Sequence, residues 1–330
     1  MMRRASMFLA LAAMLTTRSI RSDEPAAKSV TAEGLKLSLW AREPMVMDPV
    51  ALSFDDQGVL YVAETARRGT VDIDIRGHRE WLVEDLANQS VGDLGNAFRR
   101  WMATERSQEN APWLRDLNGD GVHDWHDLEP VKERIRRLED TRNTGRADRS
   151  QVFAEGFNEE ISGVVAGVLP WNDSVWVTGY PELKRLRDTD HNGIADTQQT
   201  EFRGFGVHAA FDGHDLHGLI MGPDGKLYFT CGDNGFCVTN RDGRVLRHPN
   251  TGGVLRMNTD GSDLEVYATG LRNPQEIAFD DDGNFFAVDN DGDLRDERER
   301  FVHIAEGSDS GWRLNWQFRD PGWNTITRQP

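Results

Sequence analysis

The sequence has few of the features that several protein classes require. Cysteine occurs only twice in 330 residues, and without a Cys-x-x-Cys-His motif the chain has no attachment site for covalently bound haem. Aspartate and glutamate (55) outnumber lysine and arginine (38), and the net charge of −17 argues against a polyanionic partner such as nucleic acid. No Gly-x-Ser-x-Gly or Cys/His arrangement supports nucleophilic catalysis, and no phosphate-binding loop is present.

Long apolar runs are also missing, apart from a short one at the start of the chain. Arg3 and Arg4 precede an apolar segment over residues 5–15, which has signal-peptide length and is too short to span a bilayer. We therefore predict a signal peptide over residues 1–22 without a clear cleavage site; an uncleaved N-terminal anchor is the alternative. The protein is expected to be exported to the periplasm or cell surface, with no transmembrane helix in the mature chain.

The two cysteines lie close together in the sequence. Cys231 and Cys237 flank a Gly-Asp-Asn-Gly turn. In an oxidising compartment they could form a local disulfide across that turn, and two buried free thiols are an equally good interpretation. Their spacing does not suggest a metal site.

Abundant turn formers and a repeated unit indicate the fold. The 32 Gly, 12 Pro and 10 Trp favour tight turns and aromatic packing over a helical bundle. A unit that combines short apolar strands with an Asp- or Asn-containing turn recurs four times, starting at Leu37, Val152, Thr200 and Val266. The turns at Asn172, Asp224 and Asp281 are spaced by roughly fifty residues, the length of one propeller blade. We predict an all-β fold, a β-propeller over residues 35–330.

The third repeat contains a hairpin with two histidines. The stretch GHDLHGLIMGPDGKLYFTCGDNG, Gly213 to Gly235, predicts a strand, a turn at Gly222–Gly225 and a second strand, because Pro presets the first corner of a turn and Gly tolerates positive φ. His214 could be a catalytic base or a hydrogen-bonding residue at a blade edge. For His217 a structural role is favoured.

A wide gap in the repeat pattern points to an insertion. Asp55 and Asn172 are separated by about twice the repeat spacing, and residues 85–150 are charged and lack strand alternation. Within them, Glu129–Asp140 has helical spacing. We interpret residues 85–150 as a partly helical insertion within the propeller, or as a degenerate blade that carries one.

Two acidic loops have the spacing of calcium sites. Ca²⁺ takes six to eight oxygen ligands, which alternate side chains on a tight loop can supply. The loop DLNGDGVHDWHD offers Asp116, Asn118, Asp120, Asp124 and Asp127, and the loop DTDHNGIAD offers Asp188, Asp190, Asn192 and Asp196. The alternative is an acidic turn without metal. If Ca²⁺ binds, its expected role is to stabilise the loops.

The motifs of the later repeats resemble those of a known family. H-x₇-GPDGKLY-x₃-GD-x-G is followed by GG-x-LR, by GLRNPQ-x-x-AF-x-x-DG and by DSGW. This combination resembles the soluble quinone-dependent sugar dehydrogenases of the glucose/sorbosone type. Among these it is most similar to exported propellers of planctomycetes described as membrane-bound dehydrogenases. The resemblance covers about Leu35 to Phe318.

The resemblance implies a fold, a cofactor and roles for individual residues. It implies a six-bladed propeller, here incomplete at its C-terminus, that uses pyrroloquinoline quinone (PQQ) and Ca²⁺. His214 matches the base that takes a proton from the substrate hydroxyl, and Arg272 and Asn273 match the pair that contacts the quinone. The loop from Asp289 would hold the Ca²⁺ through carbonyl groups. The implied partners are a sugar or related alcohol and an electron acceptor such as a cytochrome c.

A second interpretation is a non-catalytic, Ca²⁺-stabilised propeller that binds a carbohydrate or a protein, because propellers host binding as readily as catalysis. In that case Arg272 could pair with a carboxylate of a neighbouring blade. The two interpretations differ in geometry. A dehydrogenase requires His214, Arg272 and Asn273 to converge at one end of the central channel, with room for a flat tricyclic ligand.

Overall fold

The computed structural model describes residues 35, 37–209, 211–290 and 298–315. Residues 35 and 37–40 belong to a separate N-terminal unit and form no helix or strand. The unit that begins at Ala41 consists mainly of β-strands, as predicted. The predicted signal peptide over residues 1–22 lies outside the described residues.

Most strands belong to four small antiparallel sheets, which we call blades I to IV. Blade I contains β1 (Pro49–Phe54), β2 (Leu60–Glu64), β3 (Glu133–Glu139) and β4 (Arg149–Gly156). Blade II contains β5 (Val165–Trp171), β6 (Ser174–Gly179), β7 (Glu182–Arg187) and β8 (Thr197–Arg203). Blade III contains β9 (Leu216–Met221), β10 (Leu227–Cys231), β13 (Gly252–Met257) and β14 (Glu265–Leu271), with a separate hairpin of β11 (Phe236–Thr239) and β12 (Val245–His248). Blade IV contains β15 (Pro274–Phe279), β16 (Phe285–Asp289) and β17 (Arg300–His303).

The blades follow one another as in a propeller. The first strand of each blade contacts the first strand of the next, so that β1, β5, β9 and β15 are neighbours in this order. The sequence repeat is out of phase with these blades. Val152, Thr200 and Val266 lie in the last strand of one blade, and each repeat continues into the first two strands of the next. One repeat therefore contains the connection between two blades.

The turns between the first two strands of blades I, III and IV use the same chemistry. The side chains of Asp55, Asp224 and Asp280 each accept a hydrogen bond from the backbone N–H two residues later. This Asx arrangement replaces backbone pairing at the corner of the turn. Each turn ends on a glycine with positive φ (+80°, +78° and +81°): Gly58, Gly225 and Gly283. The hairpin predicted for the third repeat is confirmed as β9 and β10.

Apolar side chains from facing blades form the core. Phe229 in β10 is fully buried and packs edge to face against Phe205, with ring centroids 5.8 Å apart. The same cluster includes Trp176 of blade II and Leu216 of blade III. Packing between blades II and III thus depends on large residues at these positions.

We expect Phe229→Ala to lower the free energy of unfolding by about 3–5 kcal/mol, because it removes a buried ring and leaves a cavity. Val83→Ala is the control, since Val83 is 59% exposed and its truncation should change stability by less than about 0.5 kcal/mol. Urea denaturation of both variants tests this prediction. Equal losses of stability in the two variants would contradict the assignment of Phe229 to the core.

The insertion, residues 65–132 between β2 and β3, contains the seven helices that lie wholly within the described residues. Its α-helices are α1 (Leu82–Asp85), α2 (Val91–Trp101) and α3 (Ser107–Asn110). Its 3₁₀ helices are Ile75–Gly77, Arg79–Trp81, Thr104–Arg106 and Trp125–Leu128. None of the helices in the described ranges is long and apolar enough to cross a membrane.

The helix predicted over Glu129–Asp140 is wrong, because Glu133–Glu139 forms β3 between β2 and β4. Ile135 and Leu138 lie on opposite faces of this strand, and both are fully buried. A strand that is buried on both faces need not alternate, so the spacing of three residues imitates a helix. The end of the predicted insertion, residues 133–150, accordingly contributes β3 and the start of β4.

Helix α2 connects the insertion to the blades. The Ser90 hydroxyl accepts a hydrogen bond from Asp93 N (3.2 Å) and caps the helix, and Leu94 and Phe98 on its buried face join a cluster that includes Phe211. Phe211 lies three residues before His214. The insertion therefore packs against the segment that leads into β9.

Both cysteines are free thiols, so the disulfide alternative is not found. Cys231 is buried in β10, where its Sγ lies 3.3 Å from the Tyr180 hydroxyl. Cys237 lies in β11 and is half-buried. Burial raises the pKa of Cys231 to about 12, which keeps its thiol protonated at neutral pH.

We expect a thiol reagent at pH 8 to label Cys237 and leave Cys231 unmodified in the folded protein. Unfolded wild-type protein should release two thiols per chain, and Cys237→Ser should remove the labelling of the folded state. Ellman's assay with and without guanidinium checks this. Unfolded protein without free thiols would instead support the disulfide.

Candidate functional site

His214 and Asp233 form a buried pair at one end of blade III. His214 precedes β9 and Asp233 follows β10. Because these two strands pair antiparallel, the two residues lie at the same end of the strand pair. His214 Nδ1 lies 2.6 Å from Asp233 Oδ1. A carboxylate can only accept, so Nδ1 carries the hydrogen and Nε2 of the neutral ring keeps its lone pair. Within the described part of the chain, His214 Nε2 has no hydrogen-bond partner.

The carboxylate of Asp233 is itself held in place. Its Oδ2 accepts a hydrogen bond from Trp312 Nε1 (2.7 Å), and its backbone N–H donates to the carbonyl of Arg272 (2.7 Å). Sequence reasoning assigned no role to Asp233 and only a packing role to Trp312, although both lie in motifs noted above, Gly-Asp-x-Gly and Asp-Ser-Gly-Trp. Those motifs contained the signal, but the contact between them is visible only in the fold.

Arg272 and Asn273 are positioned by one buried carboxylate. They connect β14 to β15, and Asp289 at the end of β16 accepts hydrogen bonds from Arg272 N (3.0 Å) and Asn273 N (2.7 Å). Arg300 forms an ion pair with the same carboxylate. Asp289, the first residue of the loop expected to hold Ca²⁺, thus uses its side chain to position the Arg-Asn pair. Residues 291–297 of that loop lie outside the described residues.

The three residues singled out from the sequence converge. The Arg272 guanidinium carbon lies 5.7 Å from the ring centroids of both Phe211 and Trp312. Phe211 also faces His214, with ring centroids 5.4 Å apart, and Asn273 Nδ2 donates to the Gly213 carbonyl (3.1 Å). We call His214, Asp233, Arg272 and Asn273, with the rings of Phe211 and Trp312, the histidine site.

Little open space lies beside the residues of the histidine site. His214 is 5% and Arg272 1% exposed. The neighbouring cavity has a volume of about 30 Å³ and is lined by Tyr180, Phe211 and Asp215, among others. This is room for an ion or very few water molecules, so a flat tricyclic ligand requires Phe211, Trp312 or the insertion to move.

The first acidic loop uses its carboxylates within the protein. Asp124 and Asp127 form a capping box for the 3₁₀ helix Trp125–Leu128, and both are buried. Asp116 accepts hydrogen bonds from the backbone N–H groups of Gly119 (2.7 Å) and Gly121 (3.0 Å). Asn118 accepts from Asp120 N, and Asp120 accepts from Val122 N. Among the described residues these carboxylates form no cluster of three that could hold a metal ion.

The second acidic loop, between β7 and β8, does form such a cluster. One carboxylate oxygen each from Asp188, Asp190 and Asp196 lies within 4.8 Å of the other two. Asn192 Nδ2 donates a hydrogen bond to Asp190 Oδ2 (3.0 Å), and Asn192 Oδ1 accepts one from Ile194 N (2.8 Å).

The loop between β3 and β4 occupies the equivalent position in blade I. Asp140 and Asp148 make the same backbone hydrogen bonds as Asp188 and Asp196. In this loop Arg142 stands where the second loop has Asp190, and its Nε donates to Asp148 (2.5 Å). The loop of blade I therefore contains a cationic side chain, Arg142, whereas the second acidic loop brings three carboxylates together.

Fold and site together define an all-β protein with a propeller-like arrangement and a buried His–Asp pair beside an arginine. The chain belongs to the family described as domain of unknown function DUF7133, whose model matches residues 22–308.

Two characterised proteins share part of this sequence. The chain is 29% identical over 126 residues to quinoprotein glucose dehydrogenase B of Acinetobacter calcoaceticus, in a match that covers 30% of this chain and 26% of the relative. It is 26% identical over 157 residues to the HIPL1 protein of Arabidopsis thaliana, covering 38% of this chain and 22% of the relative. The chain thus spans about a quarter of the length of these relatives.

Solved structures similar to the chain include PQQ-dependent sugar dehydrogenases. One is the PQQ-bound aldose sugar dehydrogenase of Streptomyces coelicolor, at 19% identity and a TM-score of 0.41, covering 81% of this chain and 63% of that one. Another is the PQQ domain of the pyranose dehydrogenase of Coprinopsis cinerea, at 13% identity and a TM-score of 0.38, covering 78% and 48%.

The hairpin offers an internal test of the His214–Asp233 hydrogen bond. At a pH where both rings are neutral, His214 should carry its hydrogen on Nδ1, and His217 on Nε2, which contacts the Gly213 carbonyl at 3.1 Å. Long-range ¹H–¹⁵N correlation spectra distinguish the two tautomers. Asp233→Ala should remove the preference of His214 for carrying its hydrogen on Nδ1, and the tautomer of His217 should stay unchanged. A wild-type His214 with its hydrogen on Nε2 would contradict the assigned geometry.

Proposed function

We propose that the protein is a quinone-dependent dehydrogenase that oxidises a sugar or related alcohol with PQQ. The convergence of His214, Arg272 and Asn273 around Asp233 carries this proposal. The partial sequence similarity to a quinoprotein glucose dehydrogenase supports it.

His214 is the proposed base. Its Nε2 would take the proton of the substrate hydroxyl, because Nδ1 is occupied by Asp233. Asp233 orients the ring and stabilises the imidazolium that forms, as the carboxylate of a catalytic triad does. The quinone, when bound, would supply the acceptor for the hydride that leaves the carbon bearing this hydroxyl.

Arg272 and Asn273 would hold the quinone. A guanidinium is permanently charged and planar, which suits carboxylates and quinone oxygens. Asn273 is buried, and its Oδ1 has no hydrogen-bond partner in the described part of the chain, so an acceptor is left for a ligand. In chemical terms these residues fit the cofactor, although the closed packing around them must open to admit it.

For calcium, the second acidic loop is the better candidate. The proposed ligands are Asp188, Asp190, Asn192 and Asp196, with a role in loop stabilisation. The equivalent loop of blade I supports this, because Arg142 there supplies the positive charge that the second loop lacks. For the first loop, Asp116, Asn118, Asp120, Asp124 and Asp127 stay proposed ligands, and the last two also cap the 3₁₀ helix.

Six blades, export and the electron acceptor are also proposals. The outward faces of blades I and IV expose apolar side chains, including Leu52 on β1 and Val288 and Phe301 on blade IV. In a propeller, a blade face is apolar where a neighbouring blade covers it. The exposed apolar faces of blades I and IV therefore support further blades beside them. We propose an exported protein that passes electrons to an acceptor such as a cytochrome c.

One observation favours the second candidate function, a propeller that binds a carbohydrate. A groove of about 960 Å³, lined mainly by blades I and II, contains the exposed aromatic residues Phe54 and Trp171 and the carboxylates of Asp55 and Asp173. Aromatic faces with nearby acceptors suit the apolar faces and hydroxyl groups of sugars.

The decisive experiment is a titration of the purified protein with PQQ in excess Ca²⁺, followed by dye reduction across a panel of sugars and alcohols. His214→Ala should retain PQQ binding and lower turnover about 10²–10⁴-fold. Arg272→Ala should weaken PQQ binding itself.

His303→Ala on blade IV is the matched control and should behave as wild type. A folded protein that binds no PQQ would end the dehydrogenase proposal. Sugar binding that is lost in Trp171→Ala would then support the carbohydrate-binding alternative.

A further inference from the structure

The small cavity beside the histidine site is lined by acceptor oxygens that lack donors. Asp72 Oδ2, Asp215 Oδ2 and Asn234 Oδ1 are all buried, and none accepts a hydrogen bond from a donor group in the described ranges. The Asp72 carboxyl also lies against the carboxyl of Asp212. As whole residues, Asp215 is 3% and Asn234 7% exposed. The three oxygens come from three separate segments: the insertion, the approach to β9 and the loop after β10.

The surrounding donors are used elsewhere. The Tyr180 hydroxyl donates to the His214 carbonyl (2.7 Å). Arg67 is buried and donates to backbone carbonyls, among them those of Leu128 (2.6 Å) and Ser162 (3.0 Å). Arg68 is largely exposed and pairs with Asp212 (3.3 Å). The charges of Arg67 and Arg68 act on Asp72 and Asp215, but the carboxylates of Asp72, Asp212, Asp215 and Glu133 outnumber these two cations. The surroundings of the cavity are therefore negative on balance.

Two buried carboxylates in one cavity are unfavourable without a compensating positive charge or a proton. A buried acceptor without a partner costs about 1–3 kcal/mol, and more when it is charged. A cation bound in the cavity would supply that positive charge.

We propose that this cavity binds a divalent cation, Ca²⁺, between Asp72, Asp215 and Asn234. The ligand set contains only oxygens, which hard cations prefer, and two carboxylates balance two positive charges. A volume of about 30 Å³ accommodates an ion with little water and excludes a sugar. Backbone carbonyls and water would complete the coordination.

Such an ion would connect the insertion to the histidine site. Asp72 belongs to the insertion, Asp215 follows His214 directly, and Asn234 follows Asp233 directly. Ca²⁺ bound here would hold both members of the His–Asp pair in position without touching the imidazole. Asp215 and Asn234 are then positioning residues, and their role does not depend on the proposed dehydrogenase activity.

The test is a Ca²⁺ titration in a background that lacks both acidic loops, Asp116→Asn/Asp120→Asn/Asp188→Asn/Asp196→Asn. In this background calorimetry should still show one Ca²⁺ site per chain, and Ca²⁺ should raise the melting temperature. Adding Asp215→Asn should abolish both effects. Without Ca²⁺ this variant should melt at the same or a higher temperature, because one buried carboxylate is neutralised; this result also shows that it folds.

A matched control is Asp242→Asn, an exposed carboxylate in the turn between β11 and β12, which should leave the titration unchanged. A background protein that takes up no Ca²⁺, or an Asp215→Asn variant that binds it as the background does, would overturn the proposal. An infrared carbonyl band of a protonated carboxyl that disappears in Asp215→Asn would assign a shared proton to the cavity and would equally overturn it.

Discussion

The buried carboxylate of Asp233 is the contact on which the histidine site depends. A carboxylate removed from water is stable only when its oxygens are satisfied, and here His214 and Trp312 each donate to one of them. Its backbone N–H also anchors the Arg272 carbonyl. One residue thereby joins blade III, the connection to blade IV and the segment that contains the Asp-Ser-Gly-Trp motif.

The insertion is a structural part of this site. Its α1 residue Asp85 accepts a hydrogen bond from Ala209 N (2.8 Å), and its backbone carbonyl lies 2.7 Å from His208 Nδ1. Phe211, which faces both His214 and Arg272, is packed in the core of the insertion. Because these contacts help to close the site, a large ligand requires the residues around it, including those of the insertion, to rearrange.

Local patterns were predictable where a segment determines its own conformation. Pro-Asp-Gly at the β9–β10 turn and the repeated Asp-containing turns specify hairpins through side-chain hydrogen bonds and positive φ, which act over a few residues. The segment Glu129–Asp140 was misassigned because its buried pattern depends on sheets on both sides. Asp124 and Asp127 have the spacing of calcium ligands, and they also cap a helix, because backbone N–H groups compete for the same oxygens.

The sequence by itself determined the all-β class, the repeat, the hairpin of the third repeat and the residues His214, Arg272 and Asn273 as a set to examine. These follow from short-range rules on turns, alternation and motif spacing. Only the tertiary structure decided that the three converge, that Asp233 and Trp312 complete their surroundings, and that Asp72, Asp215 and Asn234 share one cavity. Such contacts join residues far apart in the chain, and their geometry is set by how blades pack, which no local pattern encodes.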